Sequence, residues 1–223
     1  WNVAYRVKRQ HEQLARLLDR DPHILALQET TQKTAKLWRK GLSEAGFEHL
    51  VTTFELAAEP EALVGGRRYG QIIASRWPLN PLPPNEFDIP WSERVLSAVT
   101  QTPCGPVEVH SAHIPAGESH GWTKIETFEG IHKRLAREST MPRILCGDFN
   151  SPQKETEDGT VVTFGQSLGP DGLAVNKGDA RWARGEHSVI TGLAEYDLPD
   201  VYRMLNGYQV QEVSWSRKIW GRQ

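Results

Sequence analysis

A chain of 223 residues fits one large domain or two small ones with no stretch resembling a linker, and 38% hydrophobic and 24% charged residues lie within the range of a globular domain. Its formal net charge of −2 argues against a protein that coats nucleic acid by bulk charge, while leaving room for a local basic patch. Two cysteines, Cys104 and Cys146, exclude a disulfide framework, and no apolar run is long enough to span a bilayer.

Trp1 to Ala4 reads as the tail of a strand that begins before the sequence does. Val7, Leu14, Leu17 and Leu18 place an apolar stripe on a helix that ends near Asp21-Pro22. Ile24 to Leu27 is a non-alternating apolar run ending in Gln28-Glu29-Thr30, so strand, helix and strand suggest a crossover unit. A helix is predicted over 32–45, a strand over 47–54, an exposed loop over 55–68 and a strand over 69–76. Five prolines between Trp77 and Pro90 prevent a long regular element.

Residues 93–101 and 107–113 form two strands joined by a hairpin signal at Thr102 to Pro106. Residues 121–139 form the clearest helix, with Trp122, Ile125, Phe128, Ile131 and Leu135 on one side. Ile144-Leu145-Cys146 follows as a strand expected to be buried on both faces. Asp158-Gly159 marks a turn, 184–195 is helical, Pro199-Asp200 starts a helical turn, and 210–215 is a strand. Two packed sheets with helices outside accommodate this order. The cysteines read as free thiols, and with no Asn-x-Ser/Thr site a reducing cytoplasm is favoured.

Polar residues of one kind collect at the strand ends: Asn2, Glu29, His113, then Asp148 and Asn150. Singly, each has an ordinary structural explanation, and Asp148 to Pro152 also reads as an Asx-type turn. Together they offer carboxylate and amide oxygens suited to Mg²⁺ or Ca²⁺, with donors for a phosphate.

Five ordered stretches resemble the endonuclease/exonuclease/phosphatase superfamily, which includes deoxyribonuclease I and exonuclease III. They are Trp1-Asn2-Val3, Ile24 to Glu29, Tyr69 to Leu79, His110 to Pro115, and Gly147-Asp148-Phe149-Asn150, with Leu198 to Arg203 similar to a following Asp-x-x-Arg segment. The resemblance implies a four-layer α/β sandwich of the DNase I-like type, two mixed sheets flanked by helices, as one domain over residues 1–223. It implies a divalent-metal hydrolase, a nuclease, phosphodiesterase or phosphatase, using Mg²⁺ with Mn²⁺ or Ca²⁺ as alternatives. Glu29 resembles the metal-binding glutamate and Asn2 the amide beside the same metal. His113 and Asn150 resemble the phosphate contacts, and Asp148 the aspartate that orients the attacking water. The family ends in an Asp-His pair, and this sequence contains no Asp-His dipeptide. The expectation is therefore a domain lacking its C-terminal strands and the start of its first strand, with a few tens of residues to follow.

Arg67, Arg68 and Tyr69 are candidate substrate contacts, and Arg76, Arg181, Arg184 and Arg217-Lys218 are further cations for a phosphate groove. Trp77, Trp91 and Trp182 lie near loops and suit base stacking or packing. DNA or RNA is the first-choice substrate of an expected monomer without membrane insertion. The alternatives are a non-catalytic phosphate-binding module on the same fold, or a phosphatase of a small phosphorylated metabolite or lipid headgroup.

Overall fold

Asn2 forms a parallel bridge with Gln28 in the computed structural model, which describes residues 1–212. Val3 N donates to Gln28 O and Gln28 N to Trp1 O, at 2.9 and 3.0 Å, so the expected strand tail is a short parallel rung. Helix α1 (Gln10–Leu18) crosses from that rung to strand β1 (Ile24–Thr30), as the order of elements suggested. Val7 does not join the helical stripe; it precedes α1 and is exposed.

Helix α2 (Gln32–Glu44) starts at a capping box between Thr31 and Thr34. Strand β2 (His49–Thr52) is shorter than predicted, because Thr52 and Glu55 close a second capping box that opens helix α3 (Thr53–Leu56). The segment expected as loop carries two 3-10 turns, Pro60–Ala62 and Gly65–Arg67. Strand β3 (Gly70–Ser75) is buried throughout, and β4 (Leu79–Pro81) is a three-residue strand in the proline-rich stretch. A 3-10 turn, Ser92–Arg94, replaces the predicted start of β5 (Val95–Thr102), and the hairpin leads to β6 (Gly105–His113).

Helix α4 (Gly117–His120) precedes α5 (Trp122–Leu135), which ends at Leu135 rather than Ser139. Trp122 leaves the expected buried face and tilts against Trp182, with ring centroids 5.3 Å apart. Strand β7 (Arg143–Asp148) is only partly buried, because β6 is its one neighbouring strand among the described residues, and Ile144 is 44% exposed. Hairpins β8 (Lys154–Glu155) with β9 (Val161–Val162) and β10 (Gln166–Leu168) with β11 (Ala174–Asn176) follow. Helix α6 (Ala180–Ile190) begins earlier than predicted because Asp179 caps it through Arg181 N. Asp200 caps α7 (Val201–Asn206) as expected. Of the strand predicted over 210–215, residues 210–212 are not in a strand, and the remainder lies outside the described residues.

Three apolar clusters define four layers. Val3, Leu17, Leu27, Trp38, Leu42, Ile72 and Ala74 lie between the first two helices and the sheet β1-β3-β2. Val51, Ile73, Leu96, Ala98 and Val109 fill the space between that sheet and the second, β4-β5-β6-β7. Val95, Ala112, Phe128, Ile131, Leu135 and Val189 join the second sheet to α5 and α6. Alternation explains how one strand serves two layers: Ile72 and Ala74 face the helices, and Ile73 faces the other sheet. Truncating a core aromatic such as Phe128 to alanine would cost about 3–5 kcal/mol.

A buried polar chain also crosses between the sheets. Gln28 Nε2 donates to Ser111 Oγ at 2.9 Å, and Ser111 Oγ donates to Gln71 Oε1 at 2.6 Å. Each member is paired, so the chain fixes how the sheets are aligned instead of leaving orphan polar groups.

The parallel pairing of β6 and β7 sets His113 opposite Asp148. Gly147 makes this approach feasible: at φ +149° a Cβ would lie 1.9 Å from Ala112 O.

Candidate active site

Glu29 sits in a bulge. The register between β1 and β3 shifts between Leu27 and Thr30, and Glu29 has φ +58°. Left-handed backbone is costly for a non-glycine residue and tends to occur where function requires it. Asn2, placed beside it by the parallel rung, donates through Nδ2 to Glu29 Oε1 at 2.9 Å and to Asp148 Oδ2 at 2.8 Å. Its Oδ1 accepts from Ala4 N at 2.9 Å. One amide thus links carboxylates carried by two different sheets.

Asp148 continues the same network. Its Oδ1 accepts from Asn150 N at 3.1 Å, and its backbone carbonyl accepts from Ile114 N at 2.8 Å. Asn150, also left-handed at φ +48°, donates through Nδ2 to Ile114 O at 2.9 Å. His113 Nε2 lies 3.8 Å from Glu29 Oε1, and donor atoms of Glu29, His113 and Asp148 all fall within 4.8 Å of one another.

The histidine is held neutral. Burial first, and then the positive charge of Arg94, pushes its pKa down to about 4. Arg94 Nη1 lies 3.0 Å from His113 Nδ1. A guanidinium can only donate, so Nδ1 accepts and Nε2 carries the hydrogen. The contact with Glu29 is therefore not an ion pair. Arg94 is itself buried, and its Nη2 donates to Gly66 O at 2.7 Å.

Behind Asn150 lies a buried charge pair. Lys124 Nζ donates to Asn150 O at 2.8 Å and to Glu186 Oε1 at 2.6 Å. Glu186 also accepts from Ser151 Oγ and Gly165 N, at 2.8 and 3.2 Å. The pair fixes the turn that presents Asn150. Burial lowers the Lys124 pKa, and Glu186 opposes that shift.

The five strand-end residues thus converge, whereas the candidate contacts at the rim divide. Arg67 is committed to Glu93 by two bonds of 2.7 and 2.8 Å. Arg68 is exposed and stacks on Tyr69, which is half-buried at the rim. Arg76 lies over Phe47 and near Asp21, and Arg181 pairs with Glu129. Arg217 and Lys218 lie outside the described residues. Trp77 stacks on His23, Trp91 lies edge-on to His120, and Trp182 packs against Trp122.

Arg94, Lys124 and Glu186 were not anticipated. Lys124 was within reach, since helical spacing puts it on the face of Phe128 and Ile131. Arg94 precedes an apolar strand, with no local sign of its partner.

The donor set fits a hard divalent cation. Glu29 and Asp148 present carboxylate oxygens and, among the described residues, neither has a lysine or arginine within salt-bridge distance.

The profile of the endonuclease/exonuclease/phosphatase family matches residues 1–192. No curated protein matches the sequence. Among solved structures, the chain is similar to ANGEL2, a 2′,3′-cyclic phosphatase, at 21% identity and a TM-score of 0.46, over 65% of this chain and 44% of that one. It is similar to an AP endonuclease from Archaeoglobus fulgidus at 20% identity and a TM-score of 0.45, over 69% and 57% of the two chains. It is also similar to a Neisseria 3′ phosphatase, NExo, solved with a product DNA hairpin, at 22% identity and a TM-score of 0.46, over 70% and 58%. The chain therefore spans less than two thirds of each of these structures.

Proposed function

The chain belongs to the endonuclease/exonuclease/phosphatase family, and we propose that it hydrolyses phosphoester bonds with a divalent cation, Mg²⁺ by preference, acting on a nucleic-acid phosphodiester. The observation that carries this reading is the Asn2 amide joining Glu29 and Asp148 from two sheets, at 2.9 and 2.8 Å. It sets two carboxylates at one cleft, next to a neutral histidine.

Glu29 would hold the ion, with Asn2 beside it. When bound, such an ion supplies Lewis-acid stabilisation of phosphoryl charge. Asp148, held in place by Asn2 and by Asn150 N, orients the attacking water and takes its proton as the water oxygen bonds to phosphorus; the P–O bond on the opposite side breaks, and the leaving oxygen takes a proton from solvent to depart as an alcohol. His113 donates from Nε2 to a phosphate oxygen as charge grows there, and the Asn150 amide donates to the same group. A neutral imidazole that keeps its hydrogen near neutral pH suits this role, which favours the assignment.

The test is hydrolysis with Mg²⁺ across DNA, abasic DNA, RNA, nucleotides, inositol phosphates and sphingomyelin. The expected result is cleavage of a nucleic acid, abolished by chelation and by Glu29→Gln. Folded protein that cleaves none of these substrates with any divalent ion would leave the phosphate-binding module as the better account. No helix among the described residues is long and apolar enough to cross a membrane.

A further inference from the structure

Tyr5 and Tyr69 stack with ring centroids 5.2 Å apart and planes 27° apart. Arg68 lies over Tyr69, 4.7 Å from the centroid, and donates to the Tyr69 hydroxyl at 2.5 Å. Tyr69 thus meets both the Tyr5 ring and the Arg68 guanidinium in one column of side chains. Tyr5 is 51% exposed and belongs to none of the apolar clusters.

The backbone beneath this column is strained. Ala4 and Tyr5 are consecutive non-glycine residues in left-handed conformation, at φ +50° and +46°. Two bonds hold them there, from Ala4 N to Asn2 Oδ1 and from Tyr5 N to Glu29 O, both 2.9 Å. Both acceptors belong to residues of the cleft. On the other side, the Tyr69 carbonyl accepts from Arg94 Nη1 at 3.5 Å, the same nitrogen that meets His113. The column therefore stands on the chain segments that form the cleft. A tyrosine that merely covered a loop would not need strained backbone anchored to Asn2 and Glu29, nor would it leave half its surface in water.

We propose that the Tyr5–Tyr69–Arg68 column is a stacking subsite for an unpaired nucleobase of a single-stranded nucleic acid. The inference rests on the phosphoesterase reading, since it places that base beside the phosphate held by His113 and Asn150. An aromatic ring pre-stacked on a second ring offers a rigid face for any base. A base inside a duplex is already stacked on both faces and has none to offer. Arg68 is exposed and, among the described residues, has no carboxylate within salt-bridge distance, so its remaining donors are available to the backbone phosphate of the same strand.

The experiment is fluorescence anisotropy of labelled oligonucleotides, with turnover stopped by chelation. It compares a short single strand, the same strand with abasic positions, and a blunt duplex of the same sequence. In parallel, the unaltered protein is assayed with Mg²⁺ on bis(4-nitrophenyl) phosphate, a phosphodiester without a base. The wild type should bind the single strand more tightly than the duplex or the abasic strand. Tyr5→Ala should weaken single-strand binding about tenfold or more, the loss expected for one base–aromatic stack. Tyr5→Phe should bind as the wild type does, which separates loss of the ring from loss of the fold. Equal binding of the single strand by wild type and Tyr5→Ala overturns the subsite, as does an equal loss on the duplex. If the base-free diester is cleaved while the Tyr5 variants bind alike, the subsite fails and the phosphoesterase reading stands. If no phosphodiester is cleaved while Tyr5→Ala still loses single-strand binding, the subsite stands and the catalytic reading fails.

Discussion

Lys124 Nζ and Glu186 Oε1 lie 2.6 Å apart, with side chains exposed by only 1% and 0%. The two residues come from α5 and α6, and through Asn150 O and Ser151 Oγ they hold the turn after β7. Removing one member leaves an uncompensated buried charge. Lys124→Met should therefore lower stability by about 3–5 kcal/mol in urea unfolding. The double variant Lys124→Met/Glu186→Gln should recover part of that loss, because it removes the uncompensated charge, and the glutamine carbonyl oxygen still accepts from one of the two donors, Ser151 Oγ or Gly165 N. Equal stability of the single variant and the wild type would show that the pair contributes nothing.

Glu29→Gln keeps the shape of the side chain and removes its charge. Mg²⁺ affinity, measured by calorimetry, should fall strongly. Unchanged binding would mean that the ion is held elsewhere.

Asp148→Asn should lower kcat far more than it raises KM, since the carboxylate acts in the chemical step. His113→Ala and Asn150→Ala should each cost about 10²–10³-fold in kcat, the usual loss for one charge-stabilising donor. An Asp148→Asn variant with near-normal turnover and unaltered melting would remove Asp148 from the mechanism.

The buried neutral histidine also makes stability depend on pH. His113 is pushed down to about 4 in the folded chain, from an ordinary value of 6.5. Above pH 6.5 it is neutral in both states and contributes no penalty. As pH falls from 6.5 toward 4, the unfolded chain takes up a proton that the folded chain refuses. Stability should fall by about 1.4 kcal/mol per pH unit across that window. Urea titrations of metal-free protein should show this slope, and His113→Gln should flatten it. An unaltered slope in that variant would assign the dependence to other groups.

Much of the site could be read in the chain because polar residues ending apolar runs are visible without a fold. Asn2, Glu29, His113, Asp148 and Asn150 all have that form, and the structure brings them together. What a linear reading could not supply is register. His113 meets Asp148 through the parallel pairing of β6 and β7, and only Gly147 lets those backbones approach. Lys124 escaped notice because lysine is usually solvated, and the partner that makes its burial tolerable lies 62 residues away. The Ile144-Leu145-Cys146 run misled in the other direction: apolar residues suggested a strand covered on both faces, yet Ile144 is 44% exposed. The end of β2 is legible in the sequence, since Thr52 and Glu55 have the spacing of a capping-box pair.

The cleft is divided between two sheets, with Asn2 and Glu29 on one and His113 and Asp148 on the other. Its width is therefore governed by the volume of Ile73, Leu96, Ala98 and Val109, none of which touches a ligand position. Ala98→Val would thicken the inter-sheet layer and move Asp148 and His113 away from Glu29, so phosphodiester turnover should fall while Mg²⁺ affinity measured by calorimetry, which rests on residues of one sheet, stays the same. Unaltered turnover would mean that the Gln28–Ser111–Gln71 chain holds the gap regardless. The alignment of ion and attacking water is thus open to change by substitutions in an apolar layer, with every polar side chain of the site left intact.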